Sequence, residues 1–256
     1  MEREEYQANY ELEKSYWWFV SRRELIMDIL DELTVNKSSV LILDAGCGTG
    51  TNALTFSKYG PVIAFDLSGH ALRFSSMNHV PNLCQGSMGS LPFQDHSFDL
   101  ILALDVIEHV DDDLAVLTEY RRVLKNDGQI VITVPAHRFL WSEHDEALHH
   151  RRRYSGFELR NKLAASGFNV KRFSSFILFL FLPIVVLRIW NGIFKKSITN
   201  KVKYIILPPF INRAIIILMR VERLLFRWIN IPFGVSLLAI AERNNDFQNI
   251  DIVEPK

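Results

Sequence analysis

The segment SSVLILDAGCGTG, residues 38–50, constrains the fold of this chain more than any other. An uncharged apolar run up to Asp44 makes a buried strand, and glycines at positions 46, 48 and 50 then turn the backbone tightly. Without Cβ atoms that backbone can approach a ligand, and the N–H groups of a following helix point at it. The alternation continues. After a helix-like stretch to Lys58, PVIAFD reads as a second strand, GHALRFSSM as a second helix and NLCQGS as a short third strand. FDLILALDV is a fourth strand, apolar enough to be covered on both faces. DDDLAVLTEYRRVLKNDG has aspartates at its start, Leu114, Leu117, Tyr120, Val123 and Leu124 on one face, and Lys125 with Gly128 to close a helix. QIVITVP is the fifth strand. Strands alternating with helices imply a doubly wound α/β fold whose mostly parallel sheet binds ligands beyond the carboxyl ends of its strands.

By itself the glycine turn has two other readings, an ordinary tight turn and a nicotinamide site. The latter favours Gly-x-Gly-x-x-Gly, whereas the last two glycines here are two apart. Asp44 lies two residues before the first glycine, and Asp66 ends the second strand, where it can accept hydrogen bonds from ribose hydroxyls. With LILDAGCGTG, VIAFDLS, GSMGSLPFQDHSFDLILALDVIEHV and LKNDGQIVITVP in this order, residues 40–170 resemble the class I S-adenosylmethionine-dependent methyltransferases, in particular their small-molecule, type 11-like branch. The resemblance implies a Rossmann-like sheet of seven strands with an antiparallel last strand, and S-adenosylmethionine as cofactor. It places Asp44, Gly46, Cys47, Gly48 and Gly50 around the methionine part, Asp66 and Leu67 at the ribose, Ser87 and Met88 at the adenine, and Asp105 in the methyl-transfer pocket. Many relatives carry Asp where this chain has Ser87, which shifts the adenine contact toward Met88 and backbone.

The stretch WSEHDEALHHRRRYS, residues 141–155, follows the fifth strand, and SGFE at 155–158 matches a capping box for the next helix. Residues 141–154 therefore read as a loop roofing the same crevice. Methyl transfer is an in-line displacement, so holding donor and acceptor in alignment does most of the work, and a base adds to it when the acceptor is a hydroxyl. His144 is the candidate base, with Asp145 or Asp105 orienting it and His150 or His109 as substitutes. The alternative is that these are exposed loop histidines bonded to backbone. A metal on His144, Asp145, His149 and His150 matches no established ligand spacing, so none is expected. Arg151, Arg152 and Arg153, with Tyr154 and Trp17, are candidate acceptor contacts. The guanidinium forks suit phosphate, or else form a solvated charge run. No stacking platform accompanies them and the 29 basic residues balance 29 acidic ones, so no nucleic-acid partner is expected. An aromatic segment such as YWWFVSRREL, together with this loop, resembles a subset of bacterial methyltransferases; here residues 16–25 are expected to form a helix over the crevice.

FNVKRFSSF and GVSLLAIAE read as strands six and seven, usually joined by a short hairpin. Here some fifty residues intervene. The run 176–187 alone holds eleven large apolar side chains, whose exposure would cost roughly 16 to 33 kcal/mol. Pro183, Arg188, Pro208, Pro209 and Arg213 interrupt the insertion, so a membrane span is not expected. From 171 to 233 there are eleven Lys or Arg against the single acid Glu222. A basic, amphipathic helix pair lying in a membrane interface fits this pattern; a homodimer or partner interface and a soluble lid are the alternatives. The expected division is a helical cap over 1–36, the methyltransferase domain over 37–176 plus 233–243, the insertion over 177–232 and a tail over 244–256. Two dispersed cysteines, Cys47 and Cys84, and an acidic N-terminus without an apolar h-region suit the cytoplasm, with a peripheral place on the inner face of the cell membrane. The expected function is methyl transfer to a lipid-linked, isoprenoid or glycolipid acceptor. A soluble O- or N-methyltransferase and a non-catalytic cofactor-binding scaffold are the alternatives.

Overall fold

A computed structural model describes residues 3–37, 39–193 and 207–247. The basic residues Lys195, Lys196, Lys201 and Lys203, and the tail from 248, lie outside the described residues. The chain begins with α1 (Arg3–Leu12) and α2 (Trp17–Thr34). It continues through β1 (Ile42–Ala45), α3 (Thr51–Phe56), β2 (Val62–Asp66), α4 (Gly69–Met77), β3 (Leu83–Gln85), β4 (Phe98–Leu104), α5 (Asp113–Val123) and β5 (Leu124–Pro135). After these come α6 (Glu143–Ala147), α7 (Gly156–Ala165), β6 (Phe168–Phe176), α8 (Phe181–Ile193), α9 (Pro209–Trp228) and β7 (Ser236–Arg243). The seven strands form one sheet in the order β3-β2-β1-β4-β5-β7-β6. β7 runs antiparallel to both its neighbours, β5 and β6, while the β1, β2, β3, β4 and β5 pairings are parallel.

The unbroken apolar run of β4 is explained by two cores, one on each face. Phe98, Ile101 and Ala103 pack with Tyr120 and Leu117 of α5 and Leu159 of α7. Leu100, Leu102 and Leu104 pack with Ile26 and Leu30 of α2, Phe56 of α3, and Met219 and Phe226 of α9. The period-two alternation of a pleated strand thus sends neighbouring residues into different cores.

Two local expectations are revised. The helix expected to close at Lys125 and Gly128 ends at Val123, and the chain enters β5 at once. The β4–β5 register then shifts between Phe98 and Leu100, where Lys125 reaches Asp99 at 2.9 Å. The region 141–154 is not all loop. α6 forms within it because Ser142 and Asp145 make a reciprocal capping box that satisfies the first orphan N–H groups. The helices α8 and α9 stand where a short β6–β7 hairpin is usual, and α9 is half core element. Its Glu222 is buried and accepts hydrogen bonds from the backbone N–H groups of Ile177, Leu178 (2.8 Å) and Phe179 (3.2 Å), fixing the exit from β6. Asn212 of α9 accepts from the Trp17 N–H at 2.9 Å and donates to the Ser15 carbonyl at 2.8 Å, so it caps α2 from 195 residues away. No described helix is long and apolar enough to cross a membrane.

Candidate active site

A cavity of about 910 Å³ opens at the carboxyl ends of the strands. Its floor is the glycine turn. Gly46, Gly48 and Gly50 all have positive φ (+78°, +57° and +83°), the region where a side chain is strained. Their surroundings differ. A Cβ at Gly46 would meet Val106 at 2.5 Å and one at Gly50 would meet Val80 at 2.6 Å, whereas one at Gly48 would meet nothing within 4 Å. Gly48 is therefore where bare backbone faces open cavity, while Gly50 serves packing against α4 and does not line the site.

Asp66 shapes this floor from the end of β2. It is buried, and its carboxylate accepts from the Gly48 N–H at 3.0 Å and the Ser68 N–H at 2.8 Å. Burial raises its pKa and those N–H groups pull it back. Asp44 stands behind the wall, 2 % exposed, and its Oδ2 has no hydrogen-bond partner among the described residues. Burial pushes its pKa up to about 7, against the pull of the Arg22 guanidinium. Cys47, Leu67, Ser87 and Met88 line the cavity, and the Tyr120 hydroxyl donates to the Met88 sulfur at 3.2 Å. Asp105, at φ +58°, accepts from Thr133 Oγ1 at 3.1 Å and pairs closely with Arg22 of α2. A non-glycine residue in that region is strained, a condition that surrounding structure sustains at working sites.

Helices roof the cavity from two sides. Tyr6 of α1 and Trp17, Trp18 and Arg22 of α2 line it, as do Ile184, Leu187 and Arg188 of α8. The stretch 16–25 thus lies over the crevice, with Trp18 also stacked on Phe176 at 6.1 Å. His144 of α6 lines the cavity, and burial lowers its pKa to about 4, so its imidazole is neutral at neutral pH. Asp145 does not orient His144 through a described hydrogen bond. It holds Arg153 (2.7 and 3.0 Å) and His150 Nδ1 (2.9 Å). His150 stacks edge-on against His109 with ring centroids 4.7 Å apart, and both line the cavity with Glu108.

The arginine triplet is strongly engaged. Arg153 is buried against Asp145 and donates to the Ala136 carbonyl at 3.0 Å. Arg152 reaches Asp113 at 3.1 Å and the carbonyls of Val110 and Asp111 at 3.0 and 2.7 Å. Arg151 pairs with Asp111 and donates to the His109 carbonyl at 3.0 Å. The Tyr154 hydroxyl is buried on Asp113 at 2.7 Å. Arg151 and Arg153 touch the cavity wall; Arg152 and Tyr154 do not line it. Sequence reasoning missed Arg22, Glu108 and Arg188. Glu108 sits beside His109 in LDVIEHV, and that adjacency was the one available signal; Arg22 and Arg188 reach the site only through tertiary packing.

The family model described as a methyltransferase domain matches residues 43–132. Over 122 residues the chain is 34 % identical to an uncharacterized protein of Methanocaldococcus jannaschii, covering 43 % of this chain and 52 % of that one. It is 36 % identical over 99 residues to a demethylmenaquinone methyltransferase of Streptomyces avermitilis, covering 38 % and 42 %. The crystal structure of the YcgJ protein of Bacillus subtilis aligns with a TM-score of 0.56 and 20 % identity over 86 % of this chain and 98 % of that one, a likeness of fold. The chain spans about half the length, or less, of these curated relatives.

Proposed function

We propose that this chain, whose central sheet and glycine turn belong to the class I S-adenosylmethionine-dependent methyltransferases, transfers methyl groups at a membrane surface to a lipid-linked, isoprenoid or glycolipid acceptor. The observation that carries the reading is that one cavity joins the glycine turn and Asp66 to His144 and to the inner side of α8. In that reading residues 37–176 with 233–243 are the catalytic domain, 1–36 its cap, and 177–232 a membrane-binding roof.

The residues present fit the cofactor: bare backbone at Gly48 opens on the cavity, and behind it one Asp44 carboxylate oxygen has no partner among the described residues. Gly46, Cys47, Gly48, Asp66, Leu67, Ser87 and Met88 would hold it, with Asp44 adding negative charge. When bound, the cofactor supplies an electrophilic methyl group on a cationic sulfur. The chain's own work is to align the acceptor within about 3 to 3.5 Å of that carbon and to exclude water. Trp17, Trp18 and Leu187 supply apolar wall for an isoprenoid or acyl group. Arg188, on the roof, suits a phosphate better than the triplet does, because the triplet's forks already hold carboxylates. His144 is the candidate base for a hydroxyl acceptor; with a pKa near 4 it is a weak one, so its contribution belongs at the low end of the usual range, about 10²-fold.

Outside the cavity, α8 exposes Leu182, Val186 and Trp190, and α9 exposes Phe210, Ile217, Val221, Leu224 and Trp228 along one stripe. A demethylmenaquinone methyltransferase among the relatives supports an isoprenoid acceptor. The test is to incubate purified protein with methyl-labelled cofactor and a lipid extract. Label in the lipid phase, falling about 10²-fold in His144→Ala, supports the reading. Label only in water-soluble products favours a soluble O- or N-methyltransferase with the insertion as lid or homodimer surface. Cofactor binding without transfer favours a scaffold, and an unchanged rate in His144→Ala removes the base.

A further inference from the structure

Glu108 is fully buried, and neither of its carboxylate oxygens has a hydrogen-bond partner among the described residues. A lone buried carboxylate is costly, and nearby cations normally relieve it. Here the neighbouring guanidinia are committed elsewhere, Arg153 to Asp145 and Arg22 to Asp105. What faces Glu108 is a pair of imidazoles. His150 Nε2 stands 4.0 Å from Glu108 Oε1, too far for a hydrogen bond, and one donor atom each from Glu108, His109 and His150 lie within 4.8 Å of one another.

The outer contact of the His150 ring is that of a metal ligand. His150 bonds Asp145 through Nδ1 at 2.9 Å, which keeps the proton on that nitrogen and turns the Nε2 lone pair toward Glu108. Asp145 is itself fixed by Arg153. The His109 ring packs edge-on against His150, with ring centroids 4.7 Å apart. A carboxylate or backbone carbonyl behind each ligating ring is the usual support of a protein metal site.

We infer that Glu108, His109 and His150 form a divalent metal site for Zn²⁺, open on the side of the cavity, that presents an acceptor oxygen for methylation. Two imidazoles and one carboxylate with a vacant fourth position are the donor set of catalytic zinc. Donor atoms on one tetrahedral ion stand about 3.2 to 3.6 Å apart, so loading draws the three inward by about an ångström at the widest. All three residues line the same cavity as Met88 and Asp105. An ion there would lower the pKa of a coordinated hydroxyl or enol, so that even the weak base His144 could take its proton; the oxygen would then bond the methyl carbon as the carbon–sulfur bond breaks and the thioether leaves. The sequence led to the expectation of no metal, and the site differs from the His144, Asp145, His149, His150 set weighed there, since Asp145 serves behind the ligands. Metal binding stands independently of methyl transfer; the assignment to acceptor oxygen rests on it.

The test uses the full chain stripped of metal with a chelator. Zn²⁺ is followed by calorimetry, Co²⁺ by its visible absorption, and S-adenosylmethionine binding is measured alongside. One equivalent of Zn²⁺ is expected. Affinity should fall at least about 100-fold in Glu108→Gln and His150→Ala, and about 10-fold in Asp145→Asn. Cofactor affinity should be unchanged in Glu108→Gln. That variant keeps the size and shape of the side chain, so without metal it should melt no lower than the wild type, and Zn²⁺ should raise the melting temperature of the wild type alone. Failure of the wild type to bind either metal, or equal binding by Glu108→Gln, overturns the site. Metal binding with no cofactor binding leaves the site standing and overturns methyl transfer.

Discussion

At the scale of single residues, Asp44 and Arg153 differ in what burial does to a charge. Asp44 has no guanidinium of its own. Its raised pKa reflects burial first, with Arg22 opposing and the carboxylates of Glu13 and Asp66 reinforcing. Because the folded value, about 7, lies above the ordinary carboxylate value, folding is favoured by the protonated form. Stability from this group is fully present below pH 4 and is lost as pH rises through 7, at up to about 1.4 kcal/mol per pH unit. A cationic sulfur nearby reverses the preference. Cofactor affinity should therefore rise between pH 6 and 8 in calorimetry, and Asp44→Asn should flatten that profile; an unaltered slope would place the titration elsewhere. Arg153 shows the opposite case, since its fork satisfies a fully buried carboxylate. Arg153→Met should strand Asp145 and lower stability by about 3 to 5 kcal/mol in urea unfolding. Arg151→Ala, whose pair with Asp111 is exposed, should cost less than about 1 kcal/mol. Equal losses would mean that burial does not distinguish the two arginines.

At the scale of elements, the buried carboxylate of Glu222 ties the insertion to the exit of the sheet. Glu222 accepts three backbone N–H groups at the end of β6, where Ile177 is held at φ +64°. Hydrogen bonds to a charged group are worth about 1.5 to 3 kcal/mol each at most, and they share one carboxylate. Glu222→Ala should then lower stability by about 3 kcal/mol and open residues 177–180 to limited proteolysis, while Glu222→Gln should lose less. Resistance of Glu222→Ala to the protease would show that Phe226 and Met219 suffice to hold α9. Neither this anchor nor the Asn212 cap could be read from the sequence, because each joins segments far apart in the chain. The strands were legible for a physical reason: in a sheet covered on both faces, a run such as LILAL can hardly do anything but cross the core. α6 was not, because HDEALHH lacks apolar periodicity and the helix depends on its Ser142–Asp145 cap. In the candidate site, Gly46, Gly48, Asp66 and Asp105, expected from the resemblance, and His144, expected from its loop, lie on one cavity. The arginine triplet was legible as chemistry but not as geometry, since residue type alone does not reveal that Asp111, Asp113 and Asp145 face it.

At the scale of the whole molecule, a neutral chain is divided into a block of about +10 over 171–233 and a remainder of about −10. The structure gives that division a direction on α9. Met219, Glu222 and Phe226 face the core; Phe210, at 74 % exposure, and Trp228, at 87 %, end a stripe that also carries Ile217, Val221 and Leu224. Arg213, Arg220 and Arg227 follow at seven-residue spacing along one border of that stripe, two helical turns apart. Arg220 is paired with Glu24 of α2 at 2.6 Å, so Arg213 and Arg227 are the better placed to meet anionic head groups. Each basic residue near such a surface is worth about 1 kcal/mol, so Arg213→Gln with Arg227→Gln should weaken binding to anionic vesicles by about 30-fold. Added salt should weaken the wild type similarly, because these charges are screened. Trp228→Ser should weaken binding to neutral and anionic vesicles alike, since it removes apolar insertion. Excising the insertion would be a poor test, as Met219, Phe226 and Ile231 are core; the substitutions leave that core intact. Flotation is the measurement, with methyl transfer to a water-soluble acceptor as the control for folding. If the double variant floats like the wild type and Trp228→Ser instead shifts a dimer to a monomer, the stripe is an interface between copies of the chain. In that case the acceptor enters the cavity from water, past Leu187 and Arg188.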